Sequence, residues 1–303
     1  MKSKKLTVTI GIPAFNEEAN IGFLLKDVLM QKTNSFKLTN ILVSSDGSTD
    51  KTKFIVEAFK DKRIKLLANI ERKGQSYRQN QIMNISKTDI LVLINADIAL
   101  KDKDFLEKLI KVFKSKNADL VSSNLVATYP RTFTEKVLGI SQLFKNSIFE
   151  HYRFGDNLYT CHGAVRAFSK NLYKTMRFKQ SIAEDAYSYL FVKKNNLNYQ
   201  YAKNAVAYYK LPENISDHKK QSARFFHSKK FLYLEFGKKF TDTEYKLPFK
   251  KMLKTYLTFF VRSPIEMIIY SAIVIVMRLE SFLAKDISNT WDVAQSSKAI
   301  RSI

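Results

Sequence analysis

The chain has 303 residues, enough for one large α/β domain or two smaller ones. At 45% apolar and 13% aromatic residues the composition is that of a folding chain and excludes disorder. Lys and Arg total 51 against 28 Asp and Glu, and the net charge of +23 predicts an anionic partner: nucleic acid, a phosphorylated small molecule or an acidic membrane surface.

Taken in chain order, Met1–Lys5 leads straight into an apolar run, Leu6–Ile12, that Pro13 ends too early for a signal peptide, so an intracellular chain is expected. The first 125 residues alternate β-branched runs with helical periodicity. Strands are expected over Leu6–Ile12, Asn40–Ser45, Ile64–Ala68, Ile90–Asn95 and Leu120–Ser123, and helices over Glu17–Gln31, Thr49–Phe59, Gly74–Ile85 and Asp102–Lys116. This order predicts a doubly wound, mostly parallel α/β sheet with helices on both faces and its ligand at the carboxyl ends of the strands.

Beyond residue 125 the pattern changes. A long helix is expected over Thr132–Tyr152, an irregular stretch over Phe154–Phe168, a helix over Ala183–Lys194 and a strand over Tyr199–Tyr209. From His218 to Lys254, eleven Lys or Arg stand against three acids. Thr255–Met277 is apolar but is interrupted by Arg262, Pro264 and Glu266. Its uncharged part, Met267–Met277, is shorter than the roughly 20 residues that span a bilayer. An interfacial helix pair is therefore expected, with a helix buried on the sheet as the alternative. Trp291 either anchors at an interface or closes the core.

Cys161 is the lone cysteine, which excludes an intramolecular disulfide and any multi-cysteine metal site. His151, His162, His218 and His227 lack zinc-ligand spacing. Only 11 of the cations are Arg, whereas base readers favour the Arg fork. A nucleic-acid partner is accordingly not expected. There is neither a Gly-x-Gly-x-x-Gly after the first strand nor a Gly-x-x-x-x-Gly-Lys-Ser/Thr motif anywhere.

Three acidic motifs each follow an expected strand: Asn16-Glu17-Glu18, Asp46-Gly47-Ser48-Thr49-Asp50 and Asn95-Ala96-Asp97. Singly, each reads as a helix start or a turn. In this order, after Ile12-Pro13-Ala14-Phe15, they make the chain resemble the family 2 glycosyltransferases, which have the GT-A fold. The resemblance spans about residues 6–230. It implies an inverting transfer of sugar from a nucleotide-diphospho-sugar to an acceptor hydroxyl. Pro13, Ala14, Asn16, Glu17 and Asp46 are then expected to hold the nucleotide, and Asn95, Ala96 and Asp97 to lie at the diphosphate. Asp97 would be the ligand of a divalent Mg or Mn ion. Relatives commonly have Asp where Asn95 and Ser45 stand here, which leaves open a catalytically weak nucleotide-sugar-binding protein.

Asn69–Asn80 resembles the family's Asn-x-Gly-Lys-Gly segment, which places Lys73 and Gly74 at the diphosphate or the sugar, with Arg78 as a further contact. Glu184-Asp185 matches the Glu-Asp pair in which the Asp is the catalytic base. Gly163, within Thr160–Arg166, and Glu184 are expected at the acceptor. Gln221-Ser222-Ala223-Arg224-Phe225 resembles a Gln-x-x-Arg-Trp motif, so Arg224 is expected on the diphosphate and Phe225 under the acceptor. The domain division expected is 1–215, with a donor half to about 125 and an acceptor half from 126, followed by a basic and apolar helical region, 216–303, associated with an anionic membrane surface. A glycan or lipid-linked acceptor and a peripheral location on the cytoplasmic side of the cell membrane complete the expectation.

Overall fold

The computed structural model describes residues 5–179, 183–283 and 299–300, with the side chains of 223–228 and 281–283 outside that description. The first half alternates β1 (Leu6–Ala14), α1 (Ile21–Leu29), β2 (Phe36–Asp46), α2 (Thr52–Glu57), β3 (Ile64–Asn69), α3 (Gln75–Ile85), β4 (Ile90–Ile94), α4 (Phe105–Lys116) and β5 (Leu120–Ala127). Then follow α5 (Phe133–Phe149), two short 3₁₀ turns, β6 (Val165–Ser169), α6 (Lys170–Thr175), α7 (Glu184–Lys194) and β7 (Tyr199–Tyr209). The chain continues through α8 (Ile215–Phe236), α9 (Lys238–Tyr245), α10 (Phe249–Arg262) and α11 (Pro264–Leu283).

Among the described residues, seven strands form one sheet in the order β3-β2-β1-β4-β6-β5-β7. All neighbours are parallel except β6, which runs antiparallel to both β4 and β5. The strand at Val165–Ser169 starts inside the stretch expected to be irregular, Phe154–Phe168, and ends one residue beyond it. The sequence hides this strand because Arg166, a cation, interrupts its apolar residues and is nevertheless fully buried.

Period-two alternation divides each central strand between two cores. Val8, Ile10, Ile12, Val92 and Ile94 pack with α1 and α4 on one face, while Leu42, Leu91 and Leu93 pack with Ile82 and Met83 of α3 on the other. Gly11 lets α3 approach: a Cβ there would lie 2.5 Å from Ile82 Cγ2. The second core also takes in Tyr187, Tyr189 and Leu190 of α7 and Leu232 and Phe236 of α8. The region beyond residue 215 is thus packed into the same body as the sheet.

Helix α5 begins with a reciprocal cap in which the Glu135 amide donates to Thr132 Oγ1 and the Thr132 amide donates to Glu135 Oε2. On it rest α10 and α11. Val137 packs against Ile273 and Met277, and Phe144 meets Tyr256 and Phe259 edge-on. The apolar segment therefore forms two helices, one face of which covers α5 rather than the sheet. Among the described residues, no helix is long and apolar enough to cross a membrane.

Candidate active site

β2, β1 and β4 are parallel neighbours, so the loops leaving their carboxyl ends lie side by side on one edge of the sheet. Side chains stitch the first two loops together. Asn16, at φ 52°, accepts the Thr49 amide at 2.9 Å on Oδ1, and its own amide donates to Ser48 Oγ at 3.1 Å. The Glu17 amide donates to Thr52 Oγ1, while Glu18 and Asp50 each accept an amide from the other's loop. Glu17 carboxylate also accepts from Asn20. Pro13 and Ala14 are the buried end of β1 beneath this rim.

Asp46, at the end of β2, serves the neighbouring loop. Its oxygens accept the amides of Lys73 and Gly74 at 2.8 Å each and the Arg78 Nε at 2.7 Å, with both charged side chains buried. Arg78 also donates to the Glu71 carbonyl. Lys73 and Gly74, expected at the diphosphate or the sugar, thus turn their amides to Asp46, and the Lys73 ammonium pairs with Glu71 at 3.0 Å. Gly47, at φ 72°, makes this approach feasible, since a Cβ there would meet the Ile70 carbonyl oxygen at 2.7 Å. Outside this loop the Arg72 guanidinium lies 4.0 Å over the Phe15 ring, a pair that no sequence spacing marks.

The inserted antiparallel strand completes the site. β6 starts where β4 ends, with Ile94 opposite Val165, and the Asn95 amide donates to the Ala164 carbonyl at 2.9 Å. The Asn95 side chain accepts from Gln75 at the start of α3. Ala96 is buried and Asp97 half-buried on the same loop. Gly163, just before β6, faces the catalytic candidate: a Cβ at this glycine would lie 3.6 Å from Asp185 Cβ and 3.8 Å from Oδ2. Asp185 stands in the first turn of α7 and accepts the Ala186 amide at 2.7 Å. Glu184 precedes it, half-buried.

Burial pushes the Asp185 carboxyl above the usual carboxylate range, against the opposing pull of Arg166 and of the Ala186 amide. Arg166 donates to the Glu184 carbonyl, to Ser188 Oγ at 2.7 Å and to Gln79 Oε1 at 3.2 Å. It therefore ties the start of α7 to α3. Burial holds His162 neutral, its pKa down to about 4, and raises the Cys161 thiol to about 12. Neither group is a nucleophile or a charge at neutral pH. Tyr245, the last residue of α9, is near enough for Asp185 to raise its phenol further beyond the effect of burial. Arg224 and Phe225 fall on α8, but their side chains lie outside the described residues, as do all of Gln180–Ile182 and Trp291.

Residues 9–177 match the pattern described as Glycosyl transferase family 2. The chain belongs to that family. It is a glycosyltransferase, and its sheet and helices are those of a GT-A fold. Among characterised relatives, UDP-Glc:alpha-D-GlcNAc-diphosphoundecaprenol beta-1,3-glucosyltransferase WfgD of Escherichia coli is 26% identical over 190 residues, which are 62% of this chain and 70% of the relative. A 4,4'-diaponeurosporenoate glycosyltransferase of Staphylococcus aureus is 27% identical over 141 residues, 46% of this glycosyltransferase and 36% of the relative, so the match spans little over a third of that protein. In structure, mannosyltransferase PcManGT from Pyrobaculum calidifontis, solved with GDP-Man and Mn2+, has a TM-score of 0.58 at 18% identity, covering 95% of this chain and 78% of the other. Residues 1–349 of S. aureus TarS give 0.54 at 17% identity, covering 76% and 65%.

Proposed function

We propose that this glycosyltransferase moves a sugar from a nucleotide-diphospho-sugar to a hydroxyl of a lipid-linked or cell-surface glycan, with inversion at the anomeric carbon. The observation that carries this reading is the Asp185 carboxylate at the first turn of α7, facing Gly163 beside the loop of Asn95 and Asp97. Asp185 takes the proton of the acceptor hydroxyl while that oxygen bonds to the anomeric carbon. The bond from that carbon to the diphosphate breaks, and the nucleoside diphosphate leaves with the bonding electron pair. Proton transfer of this kind contributes on the order of 10² to 10⁴ in rate.

The nucleotide occupies the rim formed by Asn16 and Glu17 above the buried Pro13 and Ala14, with Phe15 and Arg72 at its edge. Asp46 acts on it indirectly, by ordering the loop of Lys73 and Gly74. The donor set suits a Mg or Mn ion. Among the described residues no three His, Cys, Asp or Glu cluster, so Asp97 would supply the protein oxygen and the diphosphate the others, an arrangement hard divalent cations accept. When bound there, such an ion would supply positive charge against the departing diphosphate.

The domain reading is a transferase body of 1–215, donor half to about 125, with 216–303 serving acceptor and membrane. The relative whose name carries a diphosphoundecaprenol acceptor favours a lipid-linked substrate, met at the cytoplasmic face of an anionic membrane. A thermal-shift panel of UDP-, GDP- and dTDP-sugars with and without Mn2+ tests the donor, since a ligand of the folded state raises its melting temperature by mass action. One donor should stabilise, more strongly with metal, and be transferred. Stabilisation without transfer to any lipid-linked acceptor leaves a binding protein, and no stabilisation by any donor overturns the reading.

A further inference from the structure

Helix α10 has fourteen residues and buries none of them, although it is strongly amphipathic. Its inner side leans on neighbours: Tyr256 and Phe259 meet Phe144 of α5, and Tyr256 shares a hydrogen bond with Ser271 of α11 at 2.8 Å. Its outer side carries Phe249, Leu253, Leu257 and Val261, which are 72%, 46%, 54% and 82% exposed. The spacing of four puts them in one row about 18 Å long. Each has a polar or cationic companion one residue on, in turn Lys250, Lys254, Thr258 and Arg262. Helix α11 likewise exposes Ile265, Ile268, Ile275 and Leu279, while Met267, Ile273 and Met277 are buried.

Charge selects the occupant of this face. α10 contains no acid. The acids of α11 are already paired within the chain, Glu266 with Lys136 at 2.8 Å and Glu280 with Lys219 at 2.6 Å. Among the described residues, Lys250, Lys254 and Arg262 make no ion pair. An apolar row flanked by cations without an ion pair among the described residues, on helices not long and apolar enough within those residues to cross a bilayer, is the chemistry of a segment lying in the plane of an anionic lipid surface.

We propose that the outer face of α10 and α11 docks this enzyme on anionic phospholipid, with Phe249, Leu253, Leu257 and Val261 entering the headgroup boundary and Lys250, Lys254 and Arg262 on lipid phosphates. This deepens, and rests on, the reading that the acceptor is presented at a membrane. α5 links the two surfaces: it carries the helix pair, and the chain leaving its carboxyl end runs through the 3₁₀ turns to Gly163 beside Asp185.

Flotation of the full chain with phosphatidylglycerol–phosphatidylcholine vesicles, against phosphatidylcholine alone, tests the docking. The wild type should float with the anionic vesicles and lose binding as salt rises. The neutral double variant Leu253→Gln, Leu257→Gln should weaken binding on the order of tenfold, and Lys250→Gln, Lys254→Gln by a similar factor. Both variants should keep the donor-induced thermal shift, since these residues lie outside the donor site. Failure of the wild type to float, or flotation indifferent to both variants, overturns the proposal. A wild-type dimer that the leucine variant dissolves, without vesicle binding, assigns the face to a second copy and overturns it too. Vesicle binding with no donor-induced shift instead leaves docking standing and removes the catalytic reading.

Discussion

Asp185 is held under opposed influences, with burial raising its pKa and Arg166 and the helix start lowering it. A base must be ionised to act, so turnover falls as pH drops through this raised pKa, at a higher pH than an ordinary carboxylate near 4 would give. Asp185→Asn should lower kcat by about 10² to 10⁴ with donor affinity retained. The same change removes a buried charge, so the melting temperature should stay or rise. Wild-type turnover in this variant would remove Asp185 from the mechanism. Arg166→Met keeps much of the buried volume but deletes the cation, and the acid limb of the rate profile should move to higher pH with donor affinity little changed. An unmoved limb would make Arg166 a packing residue only. The Glu184-Asp185 pair is readable as a motif, whereas the role of Arg166 is not. Its partners Gln79, Glu184 and Ser188 come from two distant helices, and no spacing in the chain records that they meet.

At the scale of elements, the expected strands and helices of the first half are present, and their shifted boundaries have chemical causes. α1 begins at Ile21 rather than Glu17 because Glu17 and Glu18 bond to the second loop, and α2 begins at Thr52 because Asp50 accepts the Thr52 amide. These acids resemble the first turn of a helix in sequence and act as loop fasteners in the fold. Asn16→Ala removes the fastening to Thr49 and should weaken donor binding by about tenfold, the equivalent of one or two hydrogen bonds of about 1 kcal/mol, with the melting temperature lowered slightly. Calorimetry of donor binding checks this, and an unchanged affinity would show that the two loops order without Asn16. The strand β6 hides in the sequence because its five residues include Arg166, whose buried position departs from the apolar pattern that marks a strand.

At the scale of the whole molecule, two half-buried histidines with desolvated rings couple folding to pH. Burial lowers both His162 and His218 from 6.5 to about 4, so the unfolded chain binds more protons than the folded one between those values. Stability present above pH 6.5 is therefore lost as the pH falls toward 4. His218→Asn should flatten the fall in melting temperature across this window, and an identical slope in wild type and variant would show that carboxylates alone set it.

By itself the sequence determined what short-range spacing can encode: the alternation of strand and helix, the parallel order of the first half, the acidic loops at strand ends and the amphipathic character of the last helices. Each follows from periodicities of two or about three and a half residues, or from motifs a few residues long. The tertiary structure alone decided which of these meet. It inserted β6 antiparallel, so that Ala164 bonds to Asn95 and Gly163 faces Asp185. It also turned Asp46 toward its own protein, brought Tyr245 near the site and left one face of α10 uncovered. Such contacts join residues tens of positions apart through burial and hydrogen bonding, and those forces act across space without leaving a period in the chain.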